Sequence, residues 1–153
     1  MKKIVSILTF IVAFTTVVAA QNTEFEYIKT QFKADKKTLL MNYMKLSDAD
    51  AAIFWPIYNE YEAERGTLAD KRFSNIKMYA EQYSTITNEQ ADEMIKGYFE
   101  NNGKEVGIEK KYYGQIKKAL GAKTAASWLQ FEEYLDAAVK FHVLHNVPFI
   151  NEK

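Results

Sequence analysis

The only two histidines in this chain of 153 residues, His142 and His145, stand three apart near its end, a spacing that puts both imidazoles on one face of a helix. Joined by a carboxylate, they could hold a zinc ion. A bundle di-iron site asks for more, namely Glu-x-x-His pairs, and Val139 and His142 occupy the positions three before the two histidines. The ordinary reading is one packed imidazole and one solvated imidazole that suits the negative end of a helix dipole. A serine nucleophile would have to recruit one of the same histidines, and neither a Gly-x-Ser-x-Gly elbow nor a phosphate-cradling glycine loop occurs. The acidic pairs Glu132-Glu133 and Glu60-x-Glu62 fit solvated helix faces better than glycosidase carboxylates, which need a cleft. The sequence therefore reads as a non-enzyme with no catalytic residue and no cofactor, and with His142 and His145 as its only, weak, metal candidates.

Rings and cations offer a different chemistry. Phe54, Tyr58, Tyr61, Arg65, Leu68 and Arg72 fall on or beside one helical stripe. Such a stripe is ordinarily core, with arginine stems lying over apolar surface and their heads in water. The alternative is an amphiphilic face that meets another protein, which makes these six residues the candidate client or partner contacts.

The elements that must carry them announce themselves by their starts. Leu46-Ser47-Asp48-Ala49-Asp50 and Ile86-Thr87-Asn88-Glu89-Gln90 each present an apolar staple, a hydroxyl N-cap and, three residues on, a side-chain acceptor. The hydroxyl takes a backbone N–H that the first turn leaves unpaired, and the acceptor reaches back to the N–H of the cap. A helix over Glu26 to Met44 precedes the first box, with Ile28, Phe32, Leu39, Leu40, Tyr43 and Met44 at mostly helical spacing among lysines. The second helix is the longest, with a stripe from Phe54 to Tyr83, interrupted by Pro56 and Gly66 as candidate bends. The third, after Thr87, is one bent element or two, because Gly103 and Gly107 weaken it, and Gly121 closes it. The last runs through Trp128, Phe131, Leu135, Val139 and His142, capped near Lys123 or Thr124 and stopped before Pro148.

This is an all-α chain of four to five helices. A helix from Asp48 to Tyr83 would be about 54 Å long, against a diameter near 36 Å for a compact chain of the mature length. Either it breaks, or the molecule is an elongated, hairpin-rich bundle with a broad exposed flank, open to sharing with a second subunit.

The N-terminus supplies the address. Lys2 and Lys3, the apolar run Ile4 to Val18, and Val18 and Ala20 before the cut compose a signal peptide over residues 1–20, cleaved after Ala20. The polar residues that follow are no stop-transfer flank, so no stable membrane anchor is expected. Residues 21–153 then form a single helical domain. Its charge, 18 basic against 20 acidic residues once Lys2 and Lys3 are gone from the 20 of each in the chain, is no footprint of a nucleic-acid binder. Without cysteine it has neither a disulfide nor a lipid attachment point.

The two boxes resemble the LTxxQ motif of the Spy/CpxP-type periplasmic stress proteins, Ile86 to Gln90 closely and Leu46 to Asp50 more loosely, with Asp50 where the motif has Gln. The Phe54 to Tyr61, Gln130-Phe131-Glu132 and Val147 to Ile150 segments are similar to an envelope-protein variant of that group. The resemblance implies a cradle-shaped subunit that forms a homodimer in the periplasm. There it would act as an ATP-independent chaperone or envelope-stress adaptor binding unfolded or misfolded proteins. The alternative it leaves open is a regulator that binds the periplasmic part of a sensor kinase or an anti-sigma factor. A metal-binding sensor ranks below both, since the metal-sensing relatives use more histidine.

Overall fold

A computed structural model describes residues 34–146 and Ile150. The leader expected at 1–20, the first part of the helix expected from Glu26, and the Val147 to Phe149 stretch lie outside the described residues. Four helices and no strand are present among the described residues: α1 over 34–44, α2 Asp48–Gln82, α3 Asn88–Leu120 and α4 Ala122–Asn146. The fold is all-α.

Both boxes start helices. At Thr87 the box is complete, the hydroxyl accepting from Gln90 N–H at 3.2 Å and Gln90 Oε1 accepting from Thr87 N–H at 2.9 Å. At Ser47 only half is built. Its oxygen accepts from Asp50 N–H at 3.2 Å, but Asp50 takes the serine hydroxyl proton at 2.8 Å instead of reaching back to the backbone. The shorter Asp side chain explains the difference, and glutamine three residues after the cap has the reach that aspartate lacks.

The helix α2 runs unbroken through Pro56 and Gly66, 35 residues and so about 52 Å. The expected interruption does not occur. Pro56 and Ala52, four residues earlier, both lie on the exposed side, so the carbonyl deprived of a donor is on the wet face, while Phe54 and Tyr58 pin the other face in the core. The helix α3 likewise passes Gly103 and Gly107 as one element of 33 residues. It ends at Gly121, whose φ of 89° suits glycine and whose N–H donates to Lys117 O at 3.0 Å. The next residue already belongs to α4, so the cap expected near Lys123 or Thr124 is replaced by a one-residue junction. Lys45 ends α1 in the left-handed region at φ 47°, its N–H donating to Met41 O at 3.3 Å, the arrangement of an αL cap at a place where glycine is usual.

The core occupies one end of the molecule. Leu40 from α1, Phe54, Tyr58, Tyr61 and Leu68 from α2, Ile108, Tyr112 and Ile116 from α3, and Ala125, Trp128, Phe131 and Leu135 from α4 form one cluster. Tyr61 is central, with its ring edge-on to Trp128 at 4.9 Å and to Tyr112 at 5.6 Å. Burying each such side chain contributes about 1.5–3 kcal/mol, more than a cap, so packing at this root dominates stability. Between positions 69 and 100 no residue is fully buried. There α2 and α3 continue past the root as a two-helix arm.

Candidate functional site

Four helices meet at the root over charge as well as over carbon. Lys36, only 2 % exposed, places its ammonium 2.6 Å from Glu62 Oε1 and 2.6 Å from Glu132 Oε2, with the rings of Tyr58 and Tyr61 at 5.8 and 5.6 Å. Tyr61 donates its hydroxyl proton to the same Glu132 oxygen at 3.0 Å. One turn further along, Arg65 pairs with Asp136 at 2.6 Å and Glu105 at 3.1 Å. Arg72 bridges the same two acids, lying 3.4 Å from Asp136 and in direct contact with Glu105. Lys140 closes on Asp136 at 2.7 Å. Asn101 donates to Leu68 O at 3.1 Å.

Burial pushes the Glu132 carboxyl up and Lys36 opposes it; burial likewise pushes the Tyr58 and Tyr61 phenols well above their ordinary range, with Glu132 adding to the effect. Asp136 is held below the usual carboxylate range because, against the cost of burial, Lys140, Arg65 and Arg72 all favour its charge. Glu109, on the flank of the network, is pushed up to about 7 by burial and by Glu133 and Glu105. Tyr58 Oη, Trp128 Nε1, Arg65 Nε and Glu132 Oε1 are buried without a hydrogen-bond partner among the described residues, which costs stability at each. Such a network ties helices in register. A buried ion pair contributes little net stability, yet losing one partner is expensive.

This geometry relocates the residues singled out from sequence. Phe54, Tyr58, Tyr61 and Leu68 are buried, and Arg65 and Arg72 are committed to Glu105 and Asp136. They are not a contact face: the stripe is core, and the arginines are interhelical ties, because α3 and α4 cover that side of α2. Ser47, Asp50, Thr87 and Gln90 make the hydrogen bonds at the two helix starts, with Leu46 packed against the core and Ile86 half-buried before the second. His145 is exposed and stacks on Phe141 at 6.0 Å, while the side chain of His142 lies outside the described residues. Among the described residues no three His, Cys, Asp or Glu side chains converge as a metal site. Ser74 and Lys77 stand at Ser-x-x-Lys spacing, but both are exposed on the arm and no hydrogen bond joins them.

Open apolar surface lies elsewhere, and one stretch of it is continuous in sequence. On α3, Ile95, Tyr98, Phe99 and Val106 are exposed, Phe99 by 67 %, with Met78 exposed on the neighbouring stretch of α2. Tyr98 and Phe99 meet edge-on at 5.6 Å. Charges of both signs flank them, in the pairs Lys96–Asp92 at 2.6 Å and Lys104–Glu100 at 3.9 Å. The signal for this stripe was present in the doublets Met94-Ile95 and Tyr98-Phe99: when apolar residues come in adjacent pairs at each turn, one of each pair must turn away from a single partner helix. No described helix is long and apolar enough to cross a membrane.

Comparison with family models, with curated proteins and with solved structures yields no match.

Proposed function

We propose that this chain is a periplasmic, ATP-independent chaperone or envelope-stress adaptor that holds unfolded or misfolded protein on the arm of α2 and α3. The observation that carries this reading is the exposed stripe Ile95, Tyr98 and Phe99, set among charges on the stretch of α3 beyond the core and continued toward the root by Val106. Exposed apolar surface of this kind marks a place of contact. Aromatic groups beside flexible charged side chains suit guests of varied sequence, since rings bind by area and lysines and glutamates adapt to either sign. The leader-like N-terminus and the resemblance of the two boxes to the Spy/CpxP motif support the compartment and the role.

In the test, a denatured client is diluted into buffer with and without the purified chain, and light scattering is followed. A near-stoichiometric amount should suppress aggregation, and Ile95→Ser with Phe99→Ser should lose that suppression while keeping the helical far-UV spectrum. Unchanged scattering with an excess of the natural chain refutes the chaperone. Capture of one stoichiometric envelope protein in place of many would instead identify a regulator.

A further inference from the structure

We propose that α1 is an exchangeable element: in a dimer of this chain, α1 of each copy takes the α1 seat of the other, and Lys36 of one copy pairs with Glu62 and Glu132 of the second.

The seat is specific to its own sequence. It offers two carboxylates to a cation and an apolar hollow to the residue four positions later, filled here by Lys36 and Leu40, both buried. A helix lacking that cation would leave Glu132 buried without the ammonium in contact with it, which is expensive. Around these two, Lys37 lies over the Trp55 ring at 5.0 Å and Tyr43 packs on Phe131 at 5.5 Å. The partners of α1 in these contacts belong to α2 and α4, so an incoming α1 recovers them in full, whichever copy it comes from.

The hinge favours exchange. Only Lys45, Leu46 and Ser47 separate α1 from α2, and the closed path requires Lys45, a residue with a Cβ, to hold a φ of 47°. Opening the loop frees Lys45 from the left-handed region, and short hinges under strain are the ones that exchange. The Ser47 cap sits on the α2 side and survives opening, because Ser47 is already extended, with ψ 159°. What the closed monomer retains is the high local concentration of its own α1, so exchange grows with protein concentration. This inference stands apart from the chaperone reading, which uses a different surface.

Sedimentation of the natural chain over a wide concentration range tests it, beside three variants. The natural chain should self-associate. Lys45→Gly, which relieves the closed hinge, should weaken the dimer by roughly tenfold for each hinge relaxed. Lys45→Pro, which cannot adopt a positive φ, should be dimeric throughout, and adding Lys36→Met to it should return the monomer. A natural chain that stays monomeric at every concentration overturns the proposal. So does a folded, monomeric Lys45→Pro variant, or a Lys36→Met/Lys45→Pro dimer as tight as its parent, which would place the interface elsewhere. If Lys45→Pro does not fold, the glycine variant decides, and an unchanged association constant refutes the exchange.

Discussion

Lys36→Met isolates the charge at the centre of the root. Methionine keeps most of the aliphatic stem, so the change removes the ammonium and little packing. Two contacts at 2.6 Å disappear, but the two acids do not suffer equally. Glu62 has a side chain about 20 % exposed and can turn to water, whereas Glu132 is 3 % exposed and cannot. The loss at pH 7 should therefore be about 3 kcal/mol, the low end for breaking a buried pair. That corresponds to roughly 10 °C in Tm for a domain of this size. Glu132 limits the loss by taking a proton. Its folded pKa is already raised by burial and rises further without Lys36, so its protonated form contributes stability that is complete below the unfolded value and fades as pH climbs through the folded one. The penalty of Lys36→Met should shrink as pH falls from 7 towards 4. Lys36→Met combined with Glu132→Gln, which leaves Tyr61 an acceptor, should recover at least half of it. Urea unfolding of the four chains of the cycle measures this. A single variant within about 0.5 kcal/mol of the natural chain, or a double variant no better than the single, refutes the assignment of Lys36 as the counter-charge of a buried Glu132.

Two further perturbations probe the ends and the flank. Thr87→Ala should cost about 1 kcal/mol in urea unfolding, and Ser47→Ala should cost less, because its box is half-built; equal losses would contradict the hydrogen-bond pattern. Glu109, pushed up to about 7, favours folding most below the unfolded pKa and loses that contribution as pH rises through 7. Glu109→Gln should therefore raise Tm at pH 8 and leave it nearly unchanged at pH 5, and an equal shift at both would remove the cause proposed for it.

Helix starts were legible in the sequence because a cap is a local device: Thr87 and Gln90 need only each other. Gly121 was legible for the same reason, since its positive φ favours glycine, whereas the positive φ at Lys45 left no such mark in the sequence. The continuity of α2 was not legible, because the cost of Pro56 depends on whether the deprived carbonyl at Ala52 faces water or protein, which only the assembled bundle decides. The fate of Phe54, Tyr58 and Tyr61 was ambiguous from periodicity. A stripe that steps by three and four residues looks alike whether a neighbour covers it or not, and the residues that cover this one come from α3 and α4, many positions away. The outward stripe on α3 was signalled by its doublets, but a doublet requires only one of its members to face out, and here both Tyr98 and Phe99 do.

The one-residue link at Gly121 has a mechanical consequence. With a single residue between them, α3 and α4 are held together at this end by the chain itself, and Arg65 and Arg72 tie the same two helices a second time at Glu105 and Asp136. Any force that separates these two helices is therefore shared between a covalent elbow and an ionic clasp.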